Sequence, residues 1–263
     1  EIAEYVRSLY DGEVITNNRN MLTGHKELDI YIPSLKIAFE YDGMIWHSDR
    51  FRIDSNYHLN KTEECLKQGI KLYHVFEYEW INKREIVKRK IEQILGFVND
   101  ENNILNECNI MEINEEEAKE FNERYNLQGH IISSLYIGMY RNNELKSMLS
   151  LQKENNNKWR VVRFTNNVNN NLIVNSIINY FIDKYKPNKI EAYEDRRWVA
   201  NSNDSIYRRT GFELVDIIPP DYGYTKGQND YINKEKLKDC HLSNDYYRIY
   251  DCGQYKYEWK NVN

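Results

Sequence analysis

Acidic side chains recur at alternate positions in two short apolar segments near the start of the chain. Glu27 and Asp29 lie two positions apart in the first segment, and Glu40 and Asp42 lie two apart in the second. Successive side chains of a strand point to opposite faces of a sheet, so each pair shares one face if both segments are strands. The pattern therefore predicts two neighbouring strands that carry four carboxylates.

A metal ion would explain why these acids are placed together. If residues 33–35 connect the two strands, Asp29 lies across from Phe39 or Glu40, and cross-strand Cβ atoms are about 5 Å apart. Clustered carboxylates repel one another unless a cation lies between them, and hard oxygen ligands prefer Mg²⁺ or a similar ion such as Mn²⁺. We expect Asp29, Glu40 and Asp42 to bind it. The alternative is that the acids line a solvated strand face.

Further groups with acid–base chemistry follow the second strand. Gly43 ends the strand, His47 comes shortly after it, and a predicted helix then places His58 and Lys61 three positions apart on one side. An imidazole or an ammonium group beside a metal can position a nucleophile or assist a leaving oxygen. The alternative for His47 is a packed residue at the end of a strand.

Four segments with these residues resemble phage-encoded homing endonucleases of the EDxHD group, which are related to the very-short-patch repair endonuclease and more distantly to PD-(D/E)xK nucleases. The resemblance covers about the first ninety-seven residues. The segments are Glu27-Leu-Asp-Ile-Tyr-Ile-Pro, Ile37-Ala-Phe-Glu-Tyr-Asp-Gly-Met-Ile-Trp-His, Tyr57-His-Leu-Asn-Lys-Thr-Glu and Gly69-Ile-Lys-Leu-Tyr-His-Val-Phe-Glu-Tyr-Glu-Trp.

The resemblance implies a metal-dependent endonuclease that hydrolyses the phosphodiester bonds of double-stranded DNA with Mg²⁺ or Mn²⁺. Asp29 matches the metal-binding acid, Glu40 the acid of the second strand, and His47 the histidine after the tryptophan. Asp42 stands where PD-(D/E)xK enzymes have lysine and the repair enzyme has histidine, which leaves open what activates the water. The secondary candidates are Glu27, His58, Lys61 and Glu77.

The elements that must position these groups form a first domain over residues 1–97. We predict an α/β, restriction-endonuclease-like domain with a mixed sheet, which ends in a helix that Gly96 terminates. The polar stretch 98–108 is interpreted as a linker. The predicted helices are 1–9, 55–67 and 83–95, and the predicted strands are 13–16, 27–32, 36–42 and 71–77.

A second α/β domain is predicted over residues 109–263. Its element order, β-α-β-β-β-α-β-α-β-β, resembles the acyltransferase fold of the GNAT superfamily, with Ile206-Tyr-Arg-Arg-Thr-Gly-Phe212 at the place of a short helix followed by Gly-Phe. In such enzymes a glycine-rich loop opens the helix after the fourth strand and binds pyrophosphate through backbone N–H groups. The corresponding stretch here, Phe164–Asn171, has no glycine, which argues against acyl-CoA binding.

Two sets of basic residues are candidates for DNA recognition. Arg196 and Arg197 could contact phosphates while the adjacent Trp198 stacks on a base, and Lys88 and Arg89 belong to a basic cluster in the last helix of the first domain. The alternatives are that Trp198 is a core residue and that the basic cluster is a solvated helix face.

Composition limits the function classes. The 263 residues carry a net charge of −5, whereas nucleic-acid binders usually have an excess of Lys and Arg. The apolar runs are too short to cross a membrane, and the four cysteines lie far apart, so we expect a cytoplasmic protein. A zinc site at Cys240, His241 and Cys252 is a minor alternative. Other candidate functions are an N-acyltransferase or DNA-base modifier acting through the second domain, and a non-catalytic DNA-binding protein.

Overall fold

The computed structural model describes residues 1–97, 108–168, 172–234, 243 and 245–261. The elements along the chain are α1 (Ile2–Leu9), β1 (Ile15–Asn18), β2 (Leu28–Ile32), β3 (Ile37–Asp42), α2 (Tyr57–Lys67), β4 (Lys71–Phe76), α3 (Glu77–Asn82), α4 (Arg84–Ile94), β5 (Cys108–Glu112), α5 (Glu115–Tyr125), β6 (Leu135–Arg141), β7 (Glu144–Lys153), β8 (Lys158–Asn166), α6 (Leu172–Tyr185), β9 (Lys189–Asp195), β10 (Glu213–Ile218), β11 (Tyr222–Gly227), β12 (Asp230–Asn233), β13 (Tyr247–Tyr250) and β14 (Gln254–Lys260).

The chain forms two compact units, and neither is continuous in sequence. Unit 1 contains residues 1–91, 194–202 and 217–255, and unit 2 contains 92–193, 203–216 and 256–263. The expected boundary placed both later segments of unit 1 in the second domain, so the division differs from the one expected from sequence. The predicted linker 98–108 lies outside the described residues except for Cys108, the first residue of β5.

Unit 1 is built on a four-stranded mixed sheet in the order β1-β2-β3-β4. The pairs β1–β2 and β2–β3 are antiparallel, and β3–β4 is parallel. Helix α2 covers one face of this sheet, where its Cys65 packs in one core cluster with Ala38 and Leu72. Glu40 and Asp42 share the face of Ala38 because they follow it at alternate positions. The acid-bearing face is therefore buried.

The buried stripe of α2 is largely polar. His58, Lys61, Thr62 and Cys65 are its buried residues, and their spacing of three and four positions places them on one side of the helix. Apolar residues usually occupy such a stripe. Here it faces the acids of β3, and each of these buried polar groups needs a hydrogen-bond partner.

Unit 2 contains most of a seven-stranded sheet in the order β10-β14-β9-β8-β7-β6-β5. Strands β5 to β8 are antiparallel neighbours, and β8 and β9 are parallel. Helix α6 contributes buried side chains that include Ile177 and Phe181. At the place of the short helix expected before Gly211 and Phe212, the structure has two short 3₁₀ turns, Ser202–Asp204 and Arg208–Thr210. None of the helices in the described parts of the chain is long and apolar enough to span a membrane.

Candidate functional site

Asp42, the last residue of β3, lies at the centre of a histidine cluster in unit 1. Its carboxylate is fully buried. Oδ2 accepts a hydrogen bond from Nδ1 of His74 at 2.8 Å. Oδ1 lies 3.1 Å from Nδ1 of His47 and 3.4 Å from Nε2 of His58. Three imidazoles from three elements therefore converge on one carboxylate.

The backbone holds His47 and His58 against each other. His47 follows a turn in which its N–H donates to the carbonyl of Gly43 at 3.0 Å, and its ring stacks on that of His58 with centroids 5.2 Å apart. Nδ1 of His58 lies 2.7 Å from the carbonyl oxygen of Tyr250. A carbonyl can only accept, so Nδ1 of His58 carries the proton and Nε2 of a neutral ring presents a lone pair.

His74 is a functional candidate that the sequence did not single out. Burial lowers the pKa of His74 to about 4 despite the nearby Asp42 carboxylate, so the ring is neutral near pH 7. It therefore acts on Asp42 as an N–H donor. The Thr62 hydroxyl lies 2.9 Å from its other nitrogen, Nε2, and donates to the carbonyl of His58 at 3.0 Å. Burial alone would raise the pKa of Asp42, but the surrounding histidines hold it well below its usual range. The signal that could have identified His74 is its position opposite Glu40 in the parallel pairing of β3 with β4.

Glu40 and Lys61 form a buried pair beside the histidine cluster. Nζ of Lys61 donates to Oε2 of Glu40 at 2.5 Å, and the two side chains are 4% and 3% exposed, Lys61 first. Burial raises the pKa of Glu40 to about 8, although Lys61 opposes the shift. Asp29 is tied to the same strand through the backbone N–H of Tyr41, which donates to its Oδ2 at 2.8 Å, and burial raises its pKa.

Asp29, Glu40 and Asp42, which were expected to cluster, lie near one another, and Glu27 has a partner of its own. Glu27 pairs with Arg19 at 2.7 Å instead of joining the other carboxylates. Glu77, a secondary candidate, accepts the backbone N–H of Met44 at 2.9 Å. Asp29 lines a cleft of about 660 Å³ together with Glu77. Nζ of Lys61 lies against Glu40, and His47, His58 and His74 surround Asp42. The assignment of Asp29, Glu40 and Asp42 as metal ligands stays a prediction.

The expected DNA-contacting arginines are buried in ion pairs. Arg196 is 3% exposed at its side chain and pairs with Glu63, and its guanidinium lies over the ring of Tyr255. Arg197 pairs with Asp195 at 2.7 Å and with Glu79 at 3.0 Å. Contact of these two arginines with phosphate stays a prediction, and it would require breaking buried ion pairs, which is costly.

The other residues expected at a DNA surface also have partners within the chain. Trp198 is half-buried, and Nζ of Lys90 lies 5.0 Å from its ring centroid. Lys88 pairs with the exposed Glu85 at 3.0 Å. Arg89 is half-buried and also interacts within the chain. Double-stranded DNA as a partner stays a prediction that none of these contacts tests, as does a cytoplasmic location.

Comparison with known proteins gives matches to solved structures only. No family model matches the chain, and no curated protein matches it. A probable acetyltransferase from Staphylococcus epidermidis matches with 14% identity and a TM-score of 0.39, over 59% of this chain and 99% of that chain. A Bacillus subtilis acetyltransferase in complex with CoA matches with 13% identity and a TM-score of 0.39, over 59% and 98%. A GNAT family acetyltransferase from Elizabethkingia anophelis with acetyl-CoA bound matches with 11% identity and a TM-score of 0.36, over 59% and 99%.

These matches correct the expected function. The chain has a mixed α/β fold with acetyltransferase matches over about 59% of its length, and the named proteins are transferases. The expectation of a metal-dependent endonuclease of the homing type, with Mg²⁺ or Mn²⁺ as its cofactor, is contradicted by them. The weaker resemblance, of the second domain to GNAT proteins, is the one they support. At these identities and TM-scores the likeness does not identify an activity.

Proposed function

We propose that unit 2 binds an acyl-CoA-type thioester between β8 and β9 and transfers the acyl group to an amine. The observation that carries this proposal is the early divergence of the two strands. Their parallel pairing comprises Lys158 with Lys189, Trp159 with Ile190 and Arg160 with Glu191. Beyond these pairs β8 continues to Asn166, and β9 continues within unit 2 to Tyr193. A wedge therefore opens toward their carboxyl ends.

A β-bulge explains why the strands diverge at this point. Ser150 of β7 pairs with Arg163, but the next residue, Leu151, pairs with Val161. Val162 is thus an extra residue in β8, and such a residue bends its strand and increases the local twist. The bend begins two residues after Arg160, the last residue of β8 that pairs with β9.

A buried polar network fixes the bent part of β8 to α5. The Thr165 hydroxyl bonds to Oδ1 of Asn122 at 2.5 Å and accepts from Nδ2 of Asn126 at 2.9 Å. Nδ2 of Asn122 lies 3.5 Å from the hydroxyl of Ser150. Satisfied polar groups of this kind resist displacement, so the wedge is a fixed feature of unit 2.

The chemistry of the wedge suits the pantetheine arm of coenzyme A. Backbone N–H and C=O groups along diverging strands need hydrogen-bond partners, and an extended chain with amides can supply them in the manner of an added strand. Crevices at the carboxyl ends of parallel strands are also common ligand sites. An amine that attacks the thioester carbonyl forms the C–N bond, the C–S bond breaks, and the thiol leaves with the proton that the amine loses.

Hydrogen exchange of the full chain tests this proposal. We expect CoA and acetyl-CoA to slow amide exchange in residues 161–166 of β8 and in Ala192 and Tyr193 of β9, with no effect on β5. Adenosine 3′,5′-bisphosphate is the matched ligand control, because it lacks the pantetheine arm and should not protect β8. If CoA protects only residues of unit 1, or protects nothing at saturating concentration, the proposal is wrong.

For unit 1 we propose a restriction-endonuclease-like fold, without assigning it cleavage. Its support is the mixed four-stranded sheet in which an antiparallel pair, β2–β3, is extended by a parallel strand, β4. The order of strands and helices from β2 to β4 also agrees with the sequence expectation. Fold and function are separate matters, since one fold supports many activities.

A further inference from the structure

Three ligand-type atoms in unit 1 are spaced as the ligands of a single metal ion. Nδ1 of His47 and Nε2 of His58 are 2.9 Å apart, and Oδ1 of Asp42 lies 3.1 Å from the first and 3.4 Å from the second. Zn²⁺ bonds to nitrogen and carboxylate oxygen are about 2.0–2.1 Å long, which separates tetrahedral ligands by about 3.3 Å. The three atoms thus form a triangle of nearly that size.

Proton counting shows that the cluster is poorly satisfied without a cation. In a neutral ring Nε2 of His58 is an acceptor, because Nδ1 donates to the carbonyl of Tyr250. Oδ1 of Asp42 is a second acceptor and is buried without a hydrogen-bond partner. His47 can place at most one proton on the nitrogen that faces both. One proton cannot fully satisfy two buried acceptors, whereas a metal ion would bind all three atoms.

The neighbours of these residues are those that orient metal ligands. Ligating histidines usually donate their other N–H to a backbone carbonyl or a carboxylate, and His58 does so to Tyr250 at 2.7 Å. The second oxygen of Asp42 is held by His74 at 2.8 Å. Both ligands therefore have fixed orientations, and both side chains are nearly or fully buried.

From this geometry we propose that His47, His58 and Asp42 bind one zinc-class divalent ion. Two imidazoles and one carboxylate are borderline ligands that suit Zn²⁺ or Co²⁺, whereas Mg²⁺ selects all-oxygen sites. The site differs from the oxygen site expected from sequence, because Glu40, one of the expected ligands, is bound by the ammonium group of Lys61. Three protein ligands leave a fourth position for water or another small ligand. The proposal is independent of acyl transfer in unit 2.

Metal titration of the full chain tests the site. We expect chelator-stripped protein to bind one Zn²⁺ per chain in competition with a chromogenic chelator, and to give visible d–d absorption when Co²⁺ replaces Zn²⁺. His47→Ala should weaken binding by at least about 100-fold, because losing an orienting neighbour alone costs about 10–100-fold. The side chain of His47 is 17% exposed, so this variant removes little packing.

Two further variants keep the test decisive. Asp42→Asn preserves shape and should lose binding in the same way, with circular dichroism as the check on folding. Cys240→Ser with His241→Gln should leave binding unchanged; those two residues lie outside the described part of the chain. Loss of Zn²⁺ in that control, retention of parental affinity in both His47→Ala and Asp42→Asn, or failure of the parent to bind would each overturn the proposal.

Discussion

Replacing Arg197 with Met is expected to destabilise the protein by about 3–5 kcal/mol, the usual cost of breaking a buried ion pair. Its guanidinium lies 3.0 Å from Glu79, whose side chain is 2% exposed, and 2.7 Å from Asp195. Methionine keeps most of the volume against Phe76, over which the guanidinium lies at 4.2 Å. The loss therefore reflects a buried carboxylate without its cation. Urea unfolding at neutral pH measures it.

Arg196→Met is the matched control. Arg196 is also buried, but its partner Glu63 is 42% exposed, so water can solvate the carboxylate that remains. An ion pair with an exposed partner contributes about 1 kcal/mol or less. Adding Glu79→Gln to Arg197→Met should restore part of the stability. Equal losses for the two arginine variants would contradict the argument that the buried partner determines the cost.

Strand alternation in the sequence predicted that the acids share one face of the sheet, but not which residues surround them there. The observed register pairs Ile30 with Phe39, which places Asp29 opposite Glu40, one of the two expected partners. The local pattern could not predict how a helix covers this face. Whether Glu40 faces solvent, a metal or a lysine depends on how α2 packs across β3, and that packing involves residues 21 positions apart.

Local sequence patterns also could not predict how the chain divides into two units. The segments 194–202 and 217–255 return to unit 1 after the chain has built most of unit 2. One consequence is that the carbonyl of Tyr250 fixes the tautomer of His58 across 192 positions. Arg196 and Arg197 lie on such a returning segment. In the sequence they resemble an exposed basic pair. The acids that pair with them are distant in sequence or become buried only in the folded chain.

Short motifs such as the one from Glu40 to His47 report the identity of a few side chains and not their surroundings in the fold. In unit 1 the motif residues have polar partners on the chain: Glu40 contacts Lys61, and Asp42 contacts His74.

Glu40→Gln is expected to remove a large pH dependence of stability between about pH 5 and pH 8. Burial raises the pKa of Glu40 from 4.5 to about 8 in the folded protein. Below the unfolded value both states are protonated and the stabilising contribution is complete. Above it the unfolded state releases the proton and the folded state keeps it, so stability falls as the pH rises through about 8. A tenfold change in proton affinity corresponds to about 1.4 kcal/mol, which makes the total several kcal/mol.

The comparison must be made between parent and variant, because another group titrates in the opposite sense. The pKa of His74 is lowered to about 4, so its contribution is present above pH 6.5 and is lost as the pH falls. Subtracting the two unfolding curves at each pH cancels this contribution, since His74 is unchanged in Glu40→Gln. The difference in free energy of unfolding should then shift steadily in favour of the variant from pH 5 to pH 8.

Glu64→Gln, on the same side of unit 1, provides the control for this linkage. Hydrogen bonds from Lys26 and Thr23 lower the pKa of Glu64 to about 2, so its contribution is lost only as the pH falls below its unfolded value. Its replacement should leave the slope between pH 5 and pH 8 unchanged. A parental slope that survives in Glu40→Gln would mean that the buried carboxylate is already ionised at pH 5. Lys61 would then fully compensate its burial, and the pair would be a permanent ion pair rather than a protonated acid beside an ammonium group.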